Sequence, residues 1–325
     1  MMGTVKHLYP NGAKTAYRYL RSIYRAIIML YQIVLFLWFT RRILRWFIVY
    51  VYDYALSPLY RLTMNWKEKL SIIAFVMKWV LLVHRVAPRR FLPFLRRDTA
   101  IRLQGVKYVV GLEAGEIFPF LEIYRDHLYD RVADFVPQAD WTVFDLGANV
   151  GVFAIQQARR GARVFAFEPN PDCYRRLSRT VVENGFETKV SALNYAVGSA
   201  PGLGTLHVPI GATVAGSVTP IERSSSVMTP AVTITALDDI VPTLRITRID
   251  LLKIDTEGAE VEVLRGSEHT LRLVERVVLE YHSGDLLEQA RTLLHRHGFA
   301  EVLQVGVDSS QGLGILYAKK LVQAA

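Results

Sequence analysis

Thr142-Val-Phe-Asp-Leu-Gly-Ala-Asn-Val-Gly-Val-Phe-Ala154 is the stretch from which the rest of the chain can be read. Residues 143–146 form a short apolar run with one carboxylate, Asp145, near its end, and Gly147 and Gly151 follow. Beyond Gly151 the apolar residues Val152, Phe153, Ile155 and Ala158 fall at helical spacing. Strand, glycine turn and helix in that order open a βαβ unit whose turn approaches a nucleotide-like ligand.

The turn also constrains the charge of that ligand. A dinucleotide fingerprint sets its glycines as G-x-G-x-x-G, so that backbone can touch a pyrophosphate. Aligned on Gly147, the other two positions hold Asn149 and Val152, and the fingerprint fails. What remains, Asp145-x-Gly147-x-x-x-Gly151, leads an acid into the turn. An acid there repels phosphate and attracts an ammonium. S-adenosylmethionine carries an ammonium and a sulfonium and no phosphate, so it fits; a buried aspartate capping the next helix is the plain alternative.

A second strand, 163–168, ends in Glu168 before Pro169-Asn170-Pro171. Glu168 lies about 20 residues past the turn, where an acid at a strand tip receives ribose hydroxyls. Its alternative is an acid at the start of the helix from Asp172. A third strand over 190–197 places Ala196 and Val197 to flank an adenine ring.

At 325 residues the chain accommodates a full α/β domain plus an accessory region. One cysteine, Cys173, cannot make an internal disulfide, which suits a reducing compartment. Neither C-x-x-C nor H-E-x-x-H occurs, and no metal site is expected. The net charge of +9 is unevenly spread. Residues 1–100 hold 17 Lys and Arg against Asp53, Glu68 and Asp98, so they carry +14 and the remainder −5. That asymmetry points the front of the chain to a membrane surface or an acidic partner, and gives the core no reason to bind nucleic acid.

In the leader, 1–97, Lys14, Arg18, Arg21 and Arg25 make one helical stripe, and Tyr17, Tyr24, Tyr31 and Trp38 another. Its uninterrupted apolar runs, 27–39 and 70–83, fall short of the roughly 20 residues a spanning helix needs. Lengthening the first run takes in Arg41, Arg42 and Arg45, at roughly 2.5–3.5 kcal/mol each near the bilayer centre. Helices lying in the interface fit better, so residues 14–85 are read as seating the chain on the cytoplasmic face of a membrane, peripheral or monotopic. The alternatives are packing on the core, a homo-oligomer packed through the same helices, or a soluble cytoplasmic chain. No signal peptide of the usual short form is expected, because no small-residue cleavage site follows the charged start.

Four motifs in order carry a resemblance: Asp145-Leu-Gly-Ala-Asn-Val-Gly151, Phe167-Glu-Pro-Asn-Pro171, Thr235-Ala-Leu-Asp-Asp239 and Leu252-Lys-Ile-Asp-Thr-Glu-Gly-Ala-Glu260. Together they resemble the FkbM-type family of S-adenosylmethionine-dependent methyltransferases, over roughly residues 100–320. The resemblance implies a Rossmann-like, doubly wound, seven-stranded α/β sheet in a domain at 98–325; within it the stretch 199–236, rich in Gly, Ser, Thr and Pro, reads as an insertion forming a hairpin or lid near the site. The resemblance also implies methyl transfer to an acceptor hydroxyl, on a small molecule or glycan. Carried over, Asp145, Gly147, Ala148, Asn149 and Gly151 surround the amino-acid end of the cofactor. Glu168 holds the ribose, Asn170 is counted among the cofactor-binding residues, and Asp255 ends the strand 249–254.

The acceptor needs alignment and a base for its proton. Asp255 and Glu257 alternate along an extended segment, as do Glu280 and His282 after the apolar strand 276–279. His282, whose type titrates near neutrality, and Glu257 are the two candidate bases, with Asp255 beside them. A helix-start acid and an ordinary strand-end histidine are the alternatives. A cation held by Asp255, Glu257 and Glu280 is a further one. At the level of function, the rivals are a nicotinamide oxidoreductase and a non-catalytic adaptor that keeps the fold.

Overall fold

The computed structural model describes residues 63, 65–83, 98–111, 116, 118–209, 227–228, 230–308 and 312–321. The stripes and arginines read at 14–45 lie outside the described residues, as do Pro88, Pro93 and the arginines at 89, 90, 96 and 97, which mark the end of the leader in the sequence, and Ser224-Ser-Ser226, whose composition suggests a mobile tip of the insertion. Contacts divide the chain into Met1–Ala55 and Leu56–Ala325, and every described residue belongs to the second unit. That unit starts upstream of the sequence boundary at 97.

Helix α1 (Trp66–Val83) is capped by Asn65, whose side chain accepts from the Lys67 and Glu68 amides at 3.0 and 3.1 Å. A hairpin of β1 (Thr99–Leu103) and β2 (Val106–Val110) comes next, turning through Gln104 and Gly105, both left-handed as a tight two-residue turn requires. Glu68, buried, accepts from the Gln104 and Gly105 amides at 3.2 and 2.8 Å and pins α1 to that turn.

In the sequence, apolar residues over 121–135 fall at helical spacing up to Pro137, which predicts a helix, but they do not produce one. A single π-type turn, Leu121–Arg125, stops at a bend where His127 is left-handed, and a 3-10 turn appears only at Ala133–Phe135. The apolar positions are met instead by burying Leu121, Ile123, Tyr124, Leu128, Tyr129 and Phe135 from an irregular path.

From Thr142 onward strands and helices alternate: β3 (Thr142–Leu146), α2 (Val152–Arg159), β4 (Arg163–Phe167), α3 (Pro171–Glu183) and β5 (Val190–Leu193). β3 and β4 are apolar on both faces because helices cover both sides of a parallel sheet. The third strand is shorter than its sequence pattern. It stops at Leu193, and Ala196–Val197 forms β6 in a separate sheet. Asn194 causes the break: its side-chain amide donates to the Glu168 and Pro169 carbonyls.

The insertion contributes β7 (Gly202–Thr205), β8 (Val208–Pro209), β9 (Val227–Met228) and β10 (Ala231–Thr235), with β6, β10 and β7 making a small sheet over Ala196, Leu206 and Val232. α4 (Leu237–Thr243), β11 (Leu251–Ile254), α5 (Glu260–Arg265), β12 (Arg276–Tyr281), α6 (Gly284–Arg296), β13 (Phe299–Asp308) and β14 (Leu313–Lys320) complete the unit.

The main sheet has seven strands in the order β13-β14-β12-β11-β3-β4-β5, with β14 antiparallel to both neighbours. This is the doubly wound, Rossmann-like α/β architecture. From β3 the chain winds one way through β4 and β5, then crosses to β11 and winds the other way. Ligands of such sheets bind at that reversal, beyond the carboxyl ends of the strands.

Gly147 sits there. Its φ is +79°, and a Cβ added to it would fall 1.8 Å from the Asp255 carbonyl oxygen. Gly147→Ala is expected to lower unfolding stability by roughly 2–4 kcal/mol through strain and a backbone collision. The midpoint of thermal unfolding, followed by circular dichroism, should drop by about 5 °C or more.

Candidate functional site

A cleft of about 270 Å³ opens at the carboxyl edge of the central strands. Its first half is built by strand tips. The turn after β3 contributes Gly147, Ala148 and Asn149, and the tip of β4 contributes Glu168 and Asn170. Ala196 and Val197 of β6 and Phe167 of β4 supply an apolar patch beside them. Asn149 is left-handed, and its amide donates to Glu168 Oε2 at 2.7 Å while the Asn170 amide donates to Oε1 at 2.8 Å. Burial pushes the Glu168 carboxyl up to about 7 against the pull of those two amides. Asn170 also caps α3 through the Asp172 amide, with Pro171 in the first helical position.

The second half is acidic. Glu122 comes from the π-type turn, Asp255 and Glu257 from the loop after β11, and Glu280 from β12. Tyr129 stands between two of them, its hydroxyl 2.7 Å from Glu280 Oε2 and 3.1 Å from Asp255 Oδ2. Burial, with the Asp255 charge, pushes Glu122 up to about 7. Burial pushes Glu280 up to about 8, Asp255 and Glu122 adding to it. Glu257 is also held up at about 8, again chiefly by burial, and its backbone is left-handed at φ +53°. A non-glycine residue in that region carries a backbone cost of about 1–3 kcal/mol, and such residues gather at functional sites.

Lys253 underlies both halves. Its Nζ lies 3.0 Å from Asp145 Oδ1, 3.2 Å from Asp255 Oδ2 and 3.4 Å from the Gly147 carbonyl. Burial alone would lower the ammonium, but Asp145 and Asp255 beside it reverse that and keep it charged. The Tyr129 and Phe153 rings cover it at 5.1 and 5.6 Å.

His282 stands behind the acid wall. Its Nδ1 is 2.9 Å from Glu260 Oε1 and its Nε2 is 3.3 Å from Glu257 Oε2. Burial opposes its protonation, yet the Glu260 bond and the Glu257 charge outweigh that and push the imidazolium up to about 10. Paired this way, the ring is a cation at neutral pH and no proton acceptor.

The arrangement suits a methyl donor that is positively charged and free of phosphate. Glu122, Glu168, Asp255, Glu257 and Glu280 line the cleft against Lys253. Gly147 lets the β3 turn lie against the Asp255 backbone, and the Glu168 carboxyl lines the cleft at the β4 tip. A pyrophosphate would meet carboxylates where it needs donors, which argues against a nicotinamide oxidoreductase.

Comparison with known proteins agrees. The Methyltransferase FkbM domain matches residues 145–300. Methyltransferase sdnD of Sordaria araneosa is 33% identical over 213 residues, 56% of this chain and 81% of that protein. The chain belongs to the FkbM methyltransferase family. Its likeness extends to the 31-O-demethyl-FK506 methyltransferase FkbM of Streptomyces tacrolimicus, 28% identical over 63% of this chain and 90% of that one. The hexuronic acid methyltransferase AglP of Haloferax volcanii is 32% identical over 45% of this chain and 58% of its own length. The protein is thus an FkbM-family methyltransferase, and S-adenosylmethionine is the cofactor expected of it.

Within this FkbM-family cleft the residues singled out from sequence divide by depth. Gly147, Ala148, Asn149, Glu168, Asn170, Ala196, Val197, Asp255 and Glu257 are on the wall. Asp145, Gly151 and His282 are not among the lining residues. Asp145 is fully buried and engaged with Lys253, and a Cβ on Gly151 would press on Leu177 of α3, so that glycine serves helix packing. Sequence reasoning missed Glu122 and Lys253; from sequence alone Tyr124 and Tyr129 serve equally to close over a ligand or to pack in the core. Lys253 was legible in principle, as a charge inside an otherwise apolar strand. Glu122 carries no motif.

The Glu168 carboxyl yields a signed pH dependence. Below about 4.5 both folded and unfolded chains hold its proton, and above about 7 neither does. Between those values the folded chain keeps a proton the unfolded one has released, so Glu168 lowers stability as pH rises. Urea unfolding at pH 5 and pH 8 should show Glu168→Gln gaining on the wild type by roughly 1–3 kcal/mol across that range.

Proposed function

We propose that the chain transfers the methyl group of S-adenosylmethionine to a hydroxyl oxygen of a glycan, glycolipid or comparable metabolite at a membrane surface. The observation carrying this reading is one cleft that joins the Gly147 and Glu168 strand tips to the Asp255, Glu257 and Glu280 wall. Bound S-adenosylmethionine supplies an activated methyl whose departure leaves a neutral thioether. The chain's own part is to hold donor and acceptor in line and take the acceptor's proton. Glu257 lies on the wall and can reach such a proton, whereas His282 lies behind it with both ring nitrogens occupied. Glu257 is therefore the base in this reading. An oxygen acceptor is supported by the named reaction of the FkbM relative, and a sugar acid by that of AglP.

The membrane part is supported by the +14 front of the chain and by α1. Trp66, Leu70 and Ile73 are exposed at helical spacing, with Lys67 and Lys69 beside them, while Ile72 and Phe75 are buried opposite. Such a face matches an anionic lipid surface. No helix among the described residues is long and apolar enough to cross a membrane.

Methyl-labelled cofactor incubated with the full chain and a cell extract should label an oxygen-linked product in the lipid-extractable fraction. Glu257→Gln should cut the rate at saturating cofactor by about 10²–10⁴-fold. Label in neither lipids nor glycans, with the cofactor bound, would reject the assignment. In a separate sedimentation assay, vesicles containing anionic lipid should carry the chain down, and Trp66→Ser with Leu70→Ser should weaken that at least several-fold. Equal sedimentation of the two proteins would remove α1 from the reading.

A further inference from the structure

We propose that Asp255, Glu280 and His282 form a binding site for one divalent cation of the Mn²⁺ class, which holds the acceptor oxygen in the cleft. The purpose assigned to the ion rests on the methyltransferase reading, but its chemistry does not, and it departs from the sequence expectation of no metal. One ligand atom from each residue lies within 4.8 Å of the other two. Around an octahedral ion with bonds of about 2.1 Å, adjacent ligand atoms stand roughly 3 Å apart and opposite ones about 4.2 Å. Small side-chain shifts would close the present spacing onto an ion.

The residues around these three distinguish them from an ordinary group of acids. Asp255 Oδ2 is held by Lys253 at 3.2 Å and Tyr129 at 3.1 Å, and Glu280 Oε2 by the same tyrosine at 2.7 Å. Among the described residues neither Asp255 Oδ1 nor Glu280 Oε1 has a hydrogen-bond partner. His282 Nδ1 meets Glu260 Oε1 at 2.9 Å. Metal-binding histidines characteristically donate their second ring N–H to a carboxylate, which fixes tautomer and ring orientation.

Glu260 is built for that part. It is fully buried, also accepts the Gly258 amide at 2.8 Å, and its Oε2 has no partner among the described residues. Each prospective ligand is thus steadied from outside, with Oδ1, Oε1 and Nε2 left to meet the ion. The ion takes Nε2 in place of its proton, which is released to solvent, and the His282 Nε2 contact with Glu257, at 3.3 Å, is the one that must yield. Its loss frees the Glu257 carboxylate on the wall for the acceptor's proton. Two carboxylates and one imidazole suit Mn²⁺ better than Ca²⁺, which prefers oxygen alone.

The test is titration of Mn²⁺ into the full chain, with free ion followed by electron paramagnetic resonance and folding checked by circular dichroism. One saturable site is expected. Glu280→Gln and His282→Gln should each weaken it by at least about tenfold, and Glu260→Gln, which would not touch the ion, by about 10–100-fold. If Glu260→Gln fails to fold, the two ligand variants decide. Absence of saturable binding, or binding unchanged in folded Glu280→Gln and His282→Gln, overturns the site. S-adenosylmethionine is titrated into the same samples. Donor binding without Mn²⁺ binding sinks the cation site alone; Mn²⁺ binding without donor binding supports the site and sinks the methyl-transfer reading.

Discussion

Two strands that are 108 residues apart in sequence meet at a single buried ammonium. Lys253 of β11 reaches Asp145 of β3 and, through Asp255 just beyond its own strand, the acidic half of the cleft. Removing one partner of such a pair would leave an uncompensated charge in the sheet, at about 3–5 kcal/mol. The pair is deeper than the ligand. Its role is to hold the tips of β3 and β11 in one register, so that the Gly147 turn can lie against the Asp255 backbone. The Tyr129 and Phe153 rings close over the same ammonium, which draws the irregular segment before β3 into the wall.

With Asp145 neutralised from within, the cationic preference of the cleft passes to other acids. Glu122, Asp255, Glu257 and Glu280 crowd one end, and burial holds Glu122, Glu257 and Glu280 well above the ordinary carboxylate range. A site in that condition gains most from a positively charged occupant. Tyr129 bridges two of these acids, Asp255 and Glu280, where they crowd most closely.

How much of this the sequence disclosed depends on how local each feature is. The Gly147 turn, the β4 tip at Glu168 and the alternation of strands and helices rest on neighbours within a few residues, and all were legible. The seven-stranded, doubly wound sheet came from the resemblance, and its strand order from the structure alone. The partner of Asp145 was hidden, because an acid and a lysine in separate strands reveal their pairing only once register is set. His282 and Glu257 were equal candidates by residue type; burial and two flanking carboxylates separate them in the structure. The helix read over 121–135 failed because apolar spacing does not foresee a left-handed His127. The same bend delivers Tyr129 to Asp255 and Glu280.

One small contact near the front of the unit alters how the leader should be regarded. Glu68 grips both amides at the tip of the β1–β2 hairpin, and Val109 of that hairpin donates in turn to Thr180 of α3. Cut away α1, and two hydrogen bonds, a cap and an apolar face disappear from beneath a ribbon that leans on the nucleus of the enzyme. The forward helix is thus masonry for the domain behind it, and a disturbance of α1 would be felt in the hairpin and in α3.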